Sequence, residues 1–184
     1  MQQSEGMTIA ALALAIAAAA VQSDRRPLAV VSNLDLQRYA GRWYEIARFP
    51  NRFQDKCAGD VEAVYTLRDD GRITVVNRCR ARDGSMSDAR GVARRVKGAP
   101  PSVLEVRFAP AFLSFLSAVW GDYQVMALDD AHTHALIGTP DRKYLWILAR
   151  MPDLDPATYD RLVATAKEQG FDVSRLVRTE HTVR

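Results

Sequence analysis

Residues 41–53 read GRWYEIARFPNRF. From Trp43 to Phe49 the stretch is rich in aromatic and apolar side chains and is bounded by Gly41 and Pro50, the pattern of a β-strand. It poses two questions. The Trp needs a partner, and the aromatic residues continue past Pro50 to Phe53, where a strand has already ended.

The chain after Gly41 repeats this pattern of short strand-like runs between turn signals. Val61–Leu67 leads through RDDGR, an Asp-Gly hairpin turn, into Ile73–Arg80. RARDGSMSD precedes Arg90–Val96, KGAPPS precedes Val103–Ala109, and the apolar connector PAFLSFLSAVWG precedes Tyr123–Leu128. DDAHT and TPDRK set off the last two runs, His134–Gly138 and Tyr144–Arg150. This even spacing, with no βαβ unit, predicts an all-β fold: an eight-stranded up-and-down antiparallel barrel. The period then changes. DPATYDRLVATAKEQG carries Asp155 as N-cap, Pro156 at the first helical position and Gly170 as the stop. Tyr159, Leu162, Val163 and Ala166 form one apolar stripe, so a single C-terminal α-helix is expected outside the barrel. Phe171–Arg178 is read as a last short strand.

Antiparallel order also orients the barrel. The tight turns (Asp70-Gly71, Gly98–Pro101, Asp129–Thr133) are all even-numbered connections and close one end. The long ones (Pro50–Asp60, Arg82–Asp88, Pro110–Gly121, Thr139–Arg142) are all odd-numbered and surround the other, the mouth. Trp43 starts the first strand at the closed end and Arg150 finishes the eighth strand there, so the two can meet.

The 184 residues, 48% of them apolar, suffice for one domain with a core. A net charge of +3, from 25 basic and 22 acidic residues, describes a mixed surface and gives no indication of nucleic acid as a partner. Residues 78–97 are locally basic. Arg78, Arg80 and Arg82 alternate and would share one strand face, read as a solvated face or as one drawn to anionic headgroups. Met7–Ser23, MTIAALALAIAAAAVQS, is an apolar run too short for a comfortable membrane span. It ends in small or aliphatic residues at the positions a signal peptidase reads, so residues 1–23 have the outline of a secretory signal peptide. Glu5 and the lack of Lys or Arg ahead of the run leave open a start at Met7 or retention as an uncleaved anchor. The expected location is extracytoplasmic, periplasmic or outer-membrane-associated, with no Cys near the cleavage point to carry a lipid anchor. Cys57 and Cys79 have no metal-ligand spacing. In an oxidising compartment they would form a disulfide tying the loop after the first strand to the third strand; otherwise they are two free thiols.

Three segments together resemble the lipocalin family. Gly41-x-Trp43, preceded by LDLQRYA as a short helical turn, is similar to the family's first signature. Asp129 falls at the Asp of the second, although its neighbours in ALDDAHTHA depart from it, and Arg150 in YLWILAR is similar to the third. Within the family, GRWYEIARFPNRF, YTLRDDGRITVVNR and PDRKYLWILAR most resemble the branch of bacterial outer-membrane lipocalins, apolipoprotein D and plant temperature-induced lipocalins. The resemblance spans about Val31 to Thr179. It implies a lipocalin domain at residues 34–180 behind a lead-in at 24–33, and a structural base of Gly41, Trp43, Asp129 and Arg150 in which the Arg stacks over the Trp, a cation–π contact.

A barrel of this size has room for one small ligand. Taking Trp43 and Arg150 as facing inward, strand parity and the apolar faces give a lining of Ala47, Tyr65, Val75, Asn77, Val106, Phe108, Tyr123, Val125, Tyr144 and Trp146, with Glu45, Ala63 and Ala127 beside them. Such a wall suits an acyl chain with its polar head near the mouth. Phe49, Phe53, Phe112, Phe115, Leu116 and Trp120 fall on mouth-end connections. Exposing them forgoes about 1.5–3 kcal/mol of burial for each large side chain, so they either pack on one another as a lid or touch lipid or a partner. Arg52 and Lys56, also at the mouth, are read either as headgroup contacts or as solvated.

The resemblance implies a non-catalytic carrier of fatty acids or lysophospholipids; the residues alone support an apolar cavity with a lipid-friendly rim. Peripheral membrane contact through that rim is compatible with it, as is a homodimer. Two alternatives belong to other classes. One is a lipid isomerase using a cavity thiol, Cys79, which a Cys57–Cys79 bridge would silence. The other is an envelope docking module built on the mouth loop. His132 and His134 lie at the closed end and read as surface or strand-end residues. With no nucleophile elbow, metal-binding run or phosphate loop, no catalytic residue, metal or cofactor is assigned, and no residue points to haem or bilin.

Overall fold

A computed structural model describes residues 26–182, so the expected signal peptide at residues 1–23 lies outside the described residues. The chain enters the fold through a short helix, α1 (Leu36–Tyr39), whose N-cap Asp35 accepts hydrogen bonds from the backbone N–H groups of Gln37 and Arg38. β1 (Gly41–Arg48) follows, then β2 (Cys57–Leu67), β3 (Ile73–Ala81), β4 (Met86–Arg95), β5 (Val103–Arg107), β6 (Gly121–Leu128), β7 (His134–Gly138) and β8 (Leu145–Ala149). Each strand pairs antiparallel with the next, and β1 pairs with both β8 and β2, which closes the barrel. Helix α2 (Pro156–Glu168) starts at N-cap Asp155 and ends before Gly170, which takes the left-handed φ of +84° that its position as a stop requires. A short strand, β9 (Val177–Arg178), completes the sheet.

The base is built on Arg150. Its guanidinium lies 3.9 Å from the centroid of the fully buried Trp43 ring. It donates hydrogen bonds to the carbonyls of Arg38, Tyr39 and Ala40, to that of Arg42, and through Nε to that of His132. One side chain thereby ties together the end of α1, the start of β1 and the β6–β7 turn. The Trp43 indole N–H adds a 2.8 Å bond to the Tyr39 carbonyl. Gly41 precedes this contact with φ +96°, and a Cβ there would lie 3.4 Å from Arg150 Nη1. The Gly-x-Trp spacing thus serves both a left-handed backbone and the approach of the cation. Asp129 organises the facing turn, its carboxylate accepting from the N–H groups of Thr133 and His134 and from the Thr133 hydroxyl. Burial alone would raise its pKa, but these hydrogen bonds hold it below the ordinary carboxylate range.

Two hydrophobic clusters result. One fills the barrel interior and includes Trp43, Tyr65, Val75, Val125 and Ile137. The other lies outside, where Leu162 and Ala166 of α2 and Phe171 pack with Ile46, Phe49, Leu136 and Ile147. Gly138 permits this second layer to sit down on the sheet, since a Cβ there would meet the Phe171 ring at 2.6 Å. The lead-in is part of the packing: Leu28 is buried in the outer cluster, and the Val31 N–H bonds the Val125 carbonyl.

Strand parity is interrupted at four places, two of them in β2 between Cys57 and Glu62; the other two lie in β1 and β6. Between Glu45 and Ala47 the β1–β8 register shifts by a bulge, so Glu45 pairs with inward Leu148 while Ala47 pairs with outward Ile147. Ile46, Ala47 and Phe49 all belong to the outer cluster. A second shift between Val125 and Ala127 turns Met126 and Ala127 outward and returns Leu128 to the interior. The expectations that Ala47 and Ala127 face inward and that Phe49 belongs to the mouth are therefore incorrect, because an extra residue in one strand reverses every later side chain.

β9 occupies the place where β2 leaves β1. The first half of β1 pairs with β2 at Gly41–Tyr44, and Ala47 and Arg48 pair with β9 instead. The tail then bonds β2 directly, with the Asp60 N–H donating to the Glu180 carbonyl and Thr182 donating to the Asp60 carboxylate.

Arg150→Ala leaves several sheltered carbonyls without a donor and removes the stack on Trp43. Urea unfolding is expected to show a loss of about 2–4 kcal/mol. Arg150→Lys is expected to recover little of it, because an ammonium cannot reproduce the planar fork.

Candidate ligand-binding cavity

The barrel encloses a cavity of about 730 Å³, within the roughly 300–1,000 Å³ of small-molecule sites. Of the expected lining, Tyr65, Val75, Asn77, Val106, Phe108, Tyr123, Tyr144 and Trp146 border it, as do Glu45 and Ala63. Val125 faces the interior but is sealed within the inner cluster, and Ala47 is fully buried outside the barrel by the bulge in β1. The mouth is framed by the β1–β2, β5–β6 and β7–β8 connections, through Phe53, Ala118, Trp120 and Asp141.

The rim residues divide by environment. Phe112 and Phe115, in and after a short 3-10 turn at Ala111–Leu113, are 75% and 79% exposed, with Phe53 at 60%. Phe53 also packs against Tyr144, which stacks on Trp146, so an aromatic face runs from the rim into the cavity. Leu116 is exposed as well. Trp120 is held: its indole donates to the Ser114 carbonyl, and the guanidinium of Arg94 lies 3.8 Å from its ring centroid. Phe49 is buried beneath Phe171 and Arg175, which corrects its assignment to the rim.

Charge at the mouth is two-sided. Arg52 and Lys56 stand on the β1–β2 connection, Asp122 on β6 and Asp141 on the β7–β8 connection. Burial, followed by the charges of Glu105 and Asp141, raises the Asp122 pKa. The arginines that alternate along β3 are largely paired, Arg78 with Asp88 and Glu62 and Arg80 with Asp60. The exposed Arg78–Asp88 pair contributes little stability, and together these pairs dilute the basic patch.

Besides Asn77, two hydrogen-bonded polar clusters interrupt the apolar wall. The Glu45 carboxylate, at the split that β9 covers, accepts from Arg48, from Gln54 at 2.6 Å and from the Thr179 hydroxyl at 2.6 Å. Gln54 in turn accepts from Asn51 and from the Trp146 indole at 3.2 Å. Gln54 and Asn51 sit in a loop with no strand parity to place them, and no sequence signal marked them. The second group lies just above the base, where the Tyr123 hydroxyl meets those of Tyr39 at 2.7 Å and Tyr65 at 3.1 Å. Tyr39 comes from α1, and its ring packs on Trp43 at 4.9 Å. Burial pushes all three phenols up, Tyr65 to about 12.

Cys79 faces the cavity, as parity suggested, and is bonded to Cys57. Cys57 proves to be the first residue of β2. No free cysteine remains among the described residues, so this wall offers no thiolate. His132 and His134 stand at the β6–β7 turn, away from the cavity.

Residues 34–181 match the lipocalin-like domain family. Temperature-induced lipocalin-1 of Arabidopsis thaliana is 44% identical over 161 residues, covering 85% of this chain and 84% of that protein. The outer membrane lipoprotein Blc of Escherichia coli (strain K12) is 38% identical over 168 residues, 91% of each chain. Apolipoprotein D of Mus musculus is 30% identical over 158 residues, 82% of this chain and 79% of that one. Among solved structures, insecticyanin from the tobacco hornworm Manduca sexta superposes with a TM-score of 0.64 at 19% identity over 86% of each chain. Lobster apocrustacyanin A1 does so with 0.61 at 19% identity, over 78% of this chain and 77% of that one. At such identities these two speak for the fold alone.

The raised phenols set an alkaline limit. Their folded pKa values lie above the ordinary value of about 10, so their contribution to stability is full below about pH 10. It is lost as the pH rises toward about 12, because the unfolded chain ionises first. A spectrophotometric titration of the native protein is expected to show Tyr39, Tyr65 and Tyr123 ionising only as the fold is lost.

Proposed function

The chain belongs to the lipocalin family, and from that premise we propose that it is a non-catalytic, extracytoplasmic carrier of single amphipathic lipids, fatty acids or lysophospholipids. The observation that carries this reading is the cavity itself: about 730 Å³, walled mainly by apolar and aromatic side chains, closed at one end by Trp43 and Arg150 and open at the other. An acyl chain entering there exchanges water for the aromatic face of Phe53, Tyr144 and Trp146, at roughly 0.8 kcal/mol for each methylene buried. Arg52 and Lys56 stand where a carboxylate or phosphate would remain at the surface. The exposed Phe112 and Phe115 suit transient contact with a membrane from which the ligand is taken. The bond between Cys57 and Cys79 weighs against the isomerase alternative, which needs a free cavity thiol, and accords with an oxidising compartment.

Native mass spectrometry of delipidated protein incubated with oleate or with a lysophospholipid tests the proposal. A one-to-one adduct is expected, with no chemical change in the lipid released on denaturation. The absence of any adduct would remove the carrier role, and an altered lipid would point to catalysis. Trp146→Ala deletes part of the wall and its bond to Gln54, and is expected to weaken lipid binding by roughly tenfold, equivalent to about 1.4 kcal/mol, while the thermal midpoint moves by only a few degrees.

A further inference from the structure

The floor of the cavity has more hydrogen-bond donors than it uses. The hydroxyls of Tyr39, Tyr123 and Tyr65 form a row joined by two contacts, 2.7 and 3.1 Å long. Each phenol carries one proton, and each contact consumes one. If Tyr39 donates to Tyr123 and Tyr123 to Tyr65, the Tyr65 proton is left over. Running the row the other way frees the Tyr39 proton, and pointing both ends at the centre frees that of Tyr123. Every arrangement leaves one O–H without an acceptor, and the three oxygens have no other hydrogen-bond partner among the described residues. All three residues are buried or partly buried, and all three line the cavity. A buried donor left unmet costs about 1–3 kcal/mol, so the site is complete only when an acceptor sits on the floor.

From this count we infer that the cavity reads a neutral oxygen, a hydroxyl or a ketone, at the deep end of its ligand, so that the preferred ligand is an oxygenated acyl chain rather than a plain one. This rests on the carrier reading and adds a second polar anchor at the far end from the mouth. The acceptor is neutral because only one spare proton faces it, too few for a carboxylate removed from water. Arg150 beneath the floor makes no hydrogen bond to the row; its bonds all go to backbone carbonyls. A hydroxyl fits the row in both directions, accepting the spare proton and donating to one of the remaining oxygen lone pairs; a ketone uses the first contact only.

Isothermal titration of the delipidated protein with matched pairs of fatty acids, plain and ω-hydroxylated, from laurate to stearate, tests this. At one chain length, where the terminal oxygen reaches the floor, the hydroxylated acid is expected to bind roughly fivefold tighter, and the matching methyl ketone also tighter but by less. In the triple variant Tyr39→Phe, Tyr65→Phe, Tyr123→Phe, with folding checked by circular dichroism, the preference is expected to invert, to roughly tenfold in favour of the plain acid. Plain acids that bind as well as or better than hydroxylated ones at every length would overturn the inference while leaving the carrier role intact, the floor then being satisfied by water. A preference that persists in the triple variant, or one that is flat with chain length in the wild type, would likewise overturn it. If neither acid binds, the carrier reading fails first and this inference falls with it.

Discussion

The guanidinium of Arg150 is the constraint on which the rest of the structure depends. Flat on Trp43 and hydrogen-bonded to carbonyls of Arg38, Tyr39, Ala40, Arg42 and His132, it joins the α1–β1 stretch and the β6–β7 turn to the end of β8. An up-and-down barrel has two ends that are topologically alike, and this contact makes them different. With the base sealed by a planar cation over an indole, the interior is reached from the other end, where the β1–β2, β5–β6 and β7–β8 connections frame the mouth; β3–β4, expected to be long there, is a tight turn at Arg82–Ser85. The polarity of the cavity, with its tyrosine row at the bottom and its phenylalanines at the top, follows from that asymmetry.

The second determinant is the pair of bulges in β1 and β6. Each is one additional residue against the neighbouring strand. In β1 it lets a single strand serve two cores, with Trp43 and Glu45 facing inward and Ile46, Ala47 and Phe49 facing the layer beneath α2. The same bend accompanies the separation of β1 from β2, and β9 enters the gap. The Glu45 carboxylate is thereby reached both by Gln54 from the cavity and by Arg48 and Thr179 from the side of β9. A carboxylate so buried is tolerable because its oxygens are matched by donors. The C-terminal segment therefore belongs to the barrel wall, although it lies far from β1 in the chain.

These two features shape a cavity that is apolar without being uniform. Its Trp146 and Tyr144 wall accommodates hydrocarbon, while Gln54 and the tyrosine row mark positions along its length where oxygen or nitrogen is satisfied. In an enclosed, low-dielectric space an unmet hydroxyl is costly, so it adds a distinction between ligands that chain length alone does not make. Under the proposed role, such a cavity would distinguish amphiphiles by where their polar atoms fall.

Much was legible in the residues themselves. The Asp70-Gly71 hairpin, the strand order, the limits of the helix between Asp155 and Gly170, and the meeting of Trp43 with Arg150 were all written in local pattern and chain direction. Backbone preferences and side-chain periodicity act between neighbours, so adjacent residues suffice to reveal them. What only the tertiary structure decided was which way Ala47, Phe49 and Ala127 point, where Gln54 lands, and that hydroxyls from α1, β2 and β6 converge. A bulge is a mismatch in length between two strands remote in sequence, and a hydrogen-bonded row is a coincidence of three side chains from separate elements. Neither has a local signature, because each exists only once the chain has closed on itself.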